Sequence, residues 1–271
     1  MRTLICISGL PYATTTITLG GLIAGLSESD ITLLTVVEDE SQRAAAEAML
    51  AEAKRLISAP DIALKVRQGK TVDEIIQESK GEYNMIVVGS RVLGSFLDIF
   101  LQSVSRRVSN KAPISVLVVR EDHPELRRIL ICTGGRQLSQ SVVLFGARLA
   151  EAAGAQVEML HVADPLLGVY TGVHRIDEQL PRLLESNTPI ARHLRWGSRV
   201  LSEHQVQAKL ALRRGTPVDE ILREAVKGNF DLIIIGPEVE SGLWSGLLMD
   251  KVTPQVVDRA PCSVLVVRSS E

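Results

Sequence analysis

The sequence predicts an α/β protein of two tandem domains, each a five-stranded parallel sheet with helices on both faces. Three observations lead there. The chain repeats itself: TLICISG at 3–9 returns as ILICTGG at 129–135, VRQGKTVDEII at 66–76 as LRRGTPVDEIL at 212–222, MIVVG at 85–89 as LIIIG at 232–236, and SVLVVR stands at both 115–120 and 263–268. Self-similarity on this scale means two copies of one unit. The runs ITLLTVV, MIVVG and SVLVV are almost continuously apolar, which marks strands covered on both faces, as in a parallel sheet between helical layers. Amphipathic stretches alternate with these runs, as crossover helices should.

In the first copy the strands are expected at 2–8, 31–37, 62–67, 84–88 and 114–119, with helices near 14–27, 40–58, 72–80 and 98–110. The second helix carries a stripe, Ala45, Met49, Ala53 and Leu56, at spacings of three and four. The second copy repeats the order with strands at 128–133, 156–162, 207–213, 231–235 and 263–267. The domains are read as 1–121 and 127–271, divided by the charged stretch EDHPELRR with Pro124 as punctuation. Register locates the main difference between the copies. Val36 and Val162 are 126 positions apart, whereas Gly69 and Gly215 are 146 apart, so about twenty residues are inserted within 164–206 of the second copy. Ile190, Leu194, Gly197 and Leu201 form a helical stripe there, and PLLGVYTG (165–172) is an apolar loop leading into it.

Bulk properties narrow the function. The 271 residues suit two ordinary domains, and 45% hydrophobic with 23% charged residues is a globular composition. A formal net charge of −2 and 3% aromatics give neither the basic footprint nor the stacking platform of a nucleic-acid binder. No apolar run approaches membrane-spanning length. The N-terminal MRTLICISG is not read as an export signal, because its partner RRILICTGG lies mid-chain as a strand. Cys6 and Cys132 occupy the same strand position in the two copies and Cys262 precedes the last strand. These are expected to be buried, reduced thiols, consistent with a cytoplasmic protein.

The block GSRVLGSFLDIFLQSVSRRVSNKAPISVLVVR is the specific part of the sequence. Gly89-Ser90-Arg91, Gln102-Ser103-Val104-Ser105, Ala112-Pro113 and Val116 to Arg120 together follow the universal stress protein family, which the chain resembles twice over nearly its whole length. The resemblance implies a flavodoxin-like domain of the adenine-nucleotide alpha-hydrolase type in each half. Many members bind ATP through G-x2-G-x9-G-S/T after the fourth strand and an Asp at the end of the first. Glycines admit phosphate to backbone N–H groups, and the hydroxyl stands at a helix N-terminus that favours anions. In the first copy Gly89 and Ser103 keep the pattern, Val92 and Gln102 replace the other glycines, and Ser8 replaces the Asp. In the second, Gly236 keeps the first position, Val239 and Met249 replace glycines, Asp250 replaces the hydroxyl and Gly134 the Asp. A carboxylate at Asp250 repels phosphate. The implied ligand groups are therefore Ser8, Gly89, Ser90, Arg91, Ser103 and Val104 in the first half, with only Gly134 and Gly236 in the second. ATP, AMP or a smaller anion is the ligand these groups leave open.

Other patterns have simpler readings. TGGRQLSQS (133–141) is similar to the SGGxDS loop of ATP pyrophosphatases but lacks its Asp; a glycine turn capped by Ser139 or Ser141 is the alternative. Thr71 and Thr216 stand near helix starts, and Asp73, Glu74, Asp219 and Glu220 complement the helix dipoles. The histidines His123, His161, His174, His193 and His204 lack metal-ligand spacing; His161 ends on a strand near the ligand edge. Trp196 lies off the helical stripe and is a candidate partner contact, and Leu166, Leu167, Val169 and Tyr170 are candidates to cover the second cleft. As last strands of open sheets, 114–119 and 263–267 are apolar edges expected to pair with each other within the chain, with a homodimer left open. With no nucleophile–base pair in view, the reading is a non-enzymatic stress-response or regulatory protein that binds a small ligand or a protein. The rival readings are an ATP- or AMP-binding stress protein with slow ATPase activity, a scaffold without a small ligand, and an adenylating enzyme acting through TGGRQLSQS.

Overall fold

A computed structural model describes residues 1–59, 61–90, 98–120, 126–134, 140–163, 179–237 and 252–268, with 98–103 and 179 as backbone only. The chain divides into two compact units, the first built on 1–124 and the second on 125–262.

In the first unit the strands are β1 (Arg2–Cys6), β2 (Asp30–Val37), β3 (Ile62–Gln68), β4 (Met85–Gly89) and β5 (Ser115–Val119). The helices are α1 (Thr14–Leu26), α2 (Arg43–Lys54, entered through a short 3-10 turn at Glu40–Gln42), α3 (Thr71–Ser79) and α4 (Asp98–Lys111). The strand order is 3-2-1-4-5 and the pairings are parallel. The order reverses between β1 and β4, where open α/β sheets hold ligands at the carboxyl ends of their strands. Core residues such as Leu4, Ile5, Leu33, Ile86 and Leu117 are fully buried, as continuously apolar strands require. The buried face of α2 is Ala46, Leu50 and Ala53 rather than the expected Ala45, Met49, Ala53 and Leu56; Leu56 is 42% exposed. The run of alanines makes neighbouring faces equally apolar, and a one-residue rotation of about 100° lets the bulkier Leu50 reach the core.

In the second half of the chain the strands are β6 (Arg128–Cys132), β7 (Gln156–Ala163), β8 (Ala208–Arg214), β9 (Leu232–Ile235) and β10 (Ser263–Val266), of which Ser263–Leu265 cluster with the first unit. The helices are α5 (Gln140–Ala153), α6 (Gln179–Glu185), α7 (Pro189–Glu203), α8 (Pro217–Gly228) and α9 (Val252–Arg259). The order 10-9-6-7-8 repeats the first unit, and β6 pairs in parallel with β7 and β9. The inserted stretch contributes α6 and the start of α7. Thr188 accepts a hydrogen bond from Ala191 N at 3.2 Å and Pro189 opens the helix, two signals that set a helix N-terminus. Leu194, Gly197 and Leu201 are buried as the stripe predicts, and so is His193. Ser141 lies inside α5 and so is not its N-cap, while Ser139 is outside the described residues. Neither Thr71 nor Thr216 caps through its hydroxyl: Lys70 is the N-cap of α3, and Thr216 at that place in α8 makes no side-chain cap bond. No helix among the described residues is long and apolar enough to cross a membrane.

Candidate ligand-binding edges

Parallel pairing sets Cys6 beside Val88, so Ser8 and Gly89 emerge together past the carboxyl ends of β1 and β4. Ser8 is exposed, and it puts a hydroxyl where the resemblance implies a carboxylate. At Gly89 a β-carbon would stand 2.5 Å from Thr16 Oγ1, so packing of α1 against β4 already demands glycine there. Ser90 is buried, and its amide donates to Val119 O at 2.7 Å. Val104 is half-buried in α4. Ser103 stands in the same helix, but its side chain, like that of Gln102, and all of Arg91 and Val92 lie outside the described residues.

The second unit builds this edge differently. Gly134 is exposed, and Gly236 O accepts a bond from Thr253 Oγ1 at 2.9 Å. A β-carbon at Gly236 would meet Val142 Cγ2 at 3.3 Å; Val142 takes the place that Thr16 holds in the first copy. Val239, Met249 and Asp250 lie outside the described residues, as do Leu166, Leu167, Val169 and Tyr170. Behind Gly134 sits a buried polar chain, at positions where the first unit has Ile7 and Thr35 in place of Thr133 and His161. His161 Nδ1 is 2.9 Å from Thr133 O, and Thr133 Oγ1 is 2.6 Å from His193 Nε2. Only Nδ1 can donate to a carbonyl, so His161 carries its proton there. Burial pushes both imidazoles below the usual histidine range, and for His193 the nearby His161 adds to this. Trp196 is half-buried with its ring tilted 33° against His193, 5.7 Å between centroids. The sequence singled out His161 but not Thr133 or His193, although His193 sits beside Leu194 on the apolar face of α7.

A second pair of polar groups went unnoticed in the sequence: a buried glutamate on the equivalent helix of each unit. Glu78 of α3 accepts from Lys65 Nζ at 2.6 Å, Arg67 Nη1 at 2.9 Å and Tyr83 Oη at 3.0 Å. Burial alone would raise its carboxyl, but these donors outweigh it and hold the group below the usual carboxylate range. Glu224 of α8 accepts from Arg213 Nε at 2.7 Å. Phe230 stands in place of Tyr83 and Ala211 in place of Lys65, while Glu158 replaces Thr32. Burial, then the facing Glu224, push the Glu158 carboxyl above the usual range; Lys209 and Arg213 oppose this and do not prevail.

Cys6, Cys132 and Cys262 are free thiols; Cys132 and Cys262 are buried as expected, Cys6 only half-buried, and burial of the sulfur drives both Cys6 and Cys132 far above the usual range, so neither is a nucleophile at neutral pH. Among the described residues no three His, Cys, Asp or Glu side chains are grouped to hold a metal ion. Two open cavities of about 380 and 490 Å³ in the second unit share Gly154 and Gln156 in their linings. They lie at the amino ends of β6 and β7, the opposite end from Gly134 and Gly236, and contain none of the groups above.

Both halves match the model of the universal stress protein family, over residues 1–120 and 125–268. A universal stress protein of Methanocaldococcus jannaschii is 26% identical over 151 residues, covering 56% of this chain and 87% of the relative. One of Bacillus subtilis is 28% identical over 149 residues, covering 52% and 98%. Each of these relatives thus corresponds to about one half of the chain. The crystal structure of a universal stress protein from Archaeoglobus fulgidus superposes with a TM-score of 0.73 at 19% identity, covering 98% of both chains. That of a Pseudomonas aeruginosa protein of unknown function gives 0.68 at 19%, covering 98% of this chain and 92% of its own. At such identity these two matches speak for the fold alone.

Proposed function

The chain belongs to the universal stress protein family, and we propose that it acts within that family as a non-enzymatic, cytoplasmic stress-response or regulatory protein that works by binding a small ligand or a protein partner. The observation that carries this reading is the use already made of the Gly89–Ser90 corner. The glycine is taken up by the approach of Thr16, and the following amide donates to Val119 O. A phosphate arriving there finds one fewer free N–H, and Ser8 in place of a carboxylate holds a nucleoside less firmly. In the second unit the polar groups behind Gly134 are satisfied by one another through Thr133, which supports assigning it no nucleotide.

The rival reading keeps ATP or AMP in the first half, on the strength of Gly89, Ser90 and Ser103 at their family positions. Mass spectrometry of small molecules released from the denatured, freshly purified chain separates the two, together with thermal unfolding in added ATP or AMP. The proposal expects no adenine nucleotide and no shift. A nucleotide present at about one hundred times its dissociation constant stabilises its host by about 2.7 kcal/mol. A shift of that size, weakened by Ser103→Ala, decides for the rival.

A further inference from the structure

At the place where the first unit buries Glu78 alone, the second unit buries two carboxyl groups. Glu158 on β7 is 7% exposed and Glu224 on α8 is 6% exposed. Glu158 Oε1 has no hydrogen-bond partner among the described residues. Its cross-strand neighbour Lys209 stands 3.8 Å from Oε2, beyond hydrogen-bonding distance, on a side chain that is 73% exposed. The Arg213 Nε–H is committed to Glu224. On β6 the neighbour in register is Leu130, and the nearby Cys132 thiol is neutral. The ionisable groups facing Glu158 are therefore Glu224 from α8, Lys209 and Arg213 from β8, and Cys132 from β6. None of them gives Glu158 Oε1 a donor. A buried carboxylate oxygen without a donor is costly, and a second carboxylate facing it raises that cost.

We propose that Glu158, facing the Glu224 carboxylate, holds a proton in the folded second unit, and that this proton is a switch: binding it tightens the unit, and losing it leaves a buried carboxylate oxygen without a donor. In the protonated state the Glu158 carboxyl is neutral and its O–H donates to the Glu224 carboxylate. On loss the proton passes to solvent and no other bond changes. The sign follows from linkage. A carboxyl whose folded-state affinity for protons exceeds its unfolded one contributes stability in full below the unfolded value, and that contribution is lost as pH rises through the folded value. The buried His161 and His193 act oppositely: their lowered affinity makes the unit gain stability as pH rises toward the ordinary histidine value. The proton of Glu158 is therefore read as a difference between the wild type and a variant. This device goes beyond ligand binding and does not depend on it.

Both tryptophans of the chain, Trp196 and Trp244, belong to the second half, so denaturant unfolding of the full chain followed by tryptophan fluorescence reports on this unit. The measurement compares wild type with Glu158→Gln and with Glu158→Thr, the residue that the first copy holds as Thr32, from about pH 5 to about pH 8. The folded-to-unfolded ratio of the wild type, taken relative to either variant, should fall as pH rises, by up to about tenfold per pH unit within the titrating window. A relative ratio independent of pH overturns the proposal. Should neither variant fold, the carbon-13 carboxyl titration of Glu158 in the wild type decides: protonation above the ordinary glutamate value supports the proposal, and protonation at or below it refutes it.

Discussion

Two equivalent glutamates, Glu78 on α3 and Glu224 on α8, sit in the same place in the same fold and solve burial in opposite ways. Around Glu78 the first unit gathers two cations and a phenol. Around Glu224 the second unit keeps the arginine, loses the phenol to Phe230, moves the lysine from the Ala211 position to Lys209, and adds the carboxyl of Glu158. The first arrangement is satisfied when ionised; the second is satisfied when one proton is bound. A repeated domain thus preserves its backbone while reversing how it responds to protons, because the sheet and helices depend on apolar burial and tolerate either solution at their rim.

The largest expected effect is at Glu78. Removing it by Glu78→Ala takes the shared acceptor from Lys65, Arg67 Nη1 and Tyr83 Oη while leaving Arg67 Nε on Glu74, and should cost the first unit roughly 2 kcal/mol, read as faster hydrogen exchange of the β1 and β4 amides. The same change should leave the tryptophan-reported unfolding of the second unit nearly unmoved; an equal loss in both would break the comparison. The pH response comes next. Because its folded-state carboxyl is held below the usual range, Glu78 contributes fully above the unfolded value, and that contribution disappears as pH falls through the folded value. Acid should therefore loosen the first unit in the wild type and have less effect in Glu78→Gln, again by hydrogen exchange. Tyr83→Phe, which makes the first unit resemble the second at this point, should cost about 1 kcal/mol and shift the Glu78 carboxyl upward in a carboxyl titration. The smallest effect, about 1 kcal/mol or less, is expected for Thr133→Val, which cuts the hydrogen bond between β6 and His193; it should raise exchange in α7 while leaving α3 unchanged.

The strands were legible from the sequence almost to the residue, because each is an apolar run bounded by polar turns and the second copy checks the first. The insertion was legible as a jump in offset. The face of α2 was displaced by one position, because Ala44, Ala45 and Ala46 carry no signal that distinguishes one side of a helix from the next. The ligand edge was only partly readable: Ser8, Gly89 and Gly134 fall where the pattern put them, but a sequence does not record that Gly89 is pressed by Thr16 or that the Ser90 amide is already engaged. Glu78, Glu158 and Glu224 escaped notice for a related reason. A lone carboxylate on an amphipathic helix or in an outer strand looks solvated until its partners, which come from other elements of the chain, are placed around it. The internal comparison did hold a clue, since Thr32 aligns with Glu158 and Tyr83 with Phe230, a charge added and a donor removed at one site.

The most direct test of this contrast is a single carbon-13 carboxyl titration of the full-length chain, with Glu78 and Glu158 assigned by their Gln variants. The two groups should protonate on opposite sides of the ordinary glutamate value, Glu158 at the higher pH and Glu78 at the lower. Titration of both at a common pH, or in the reverse order, would contradict the account.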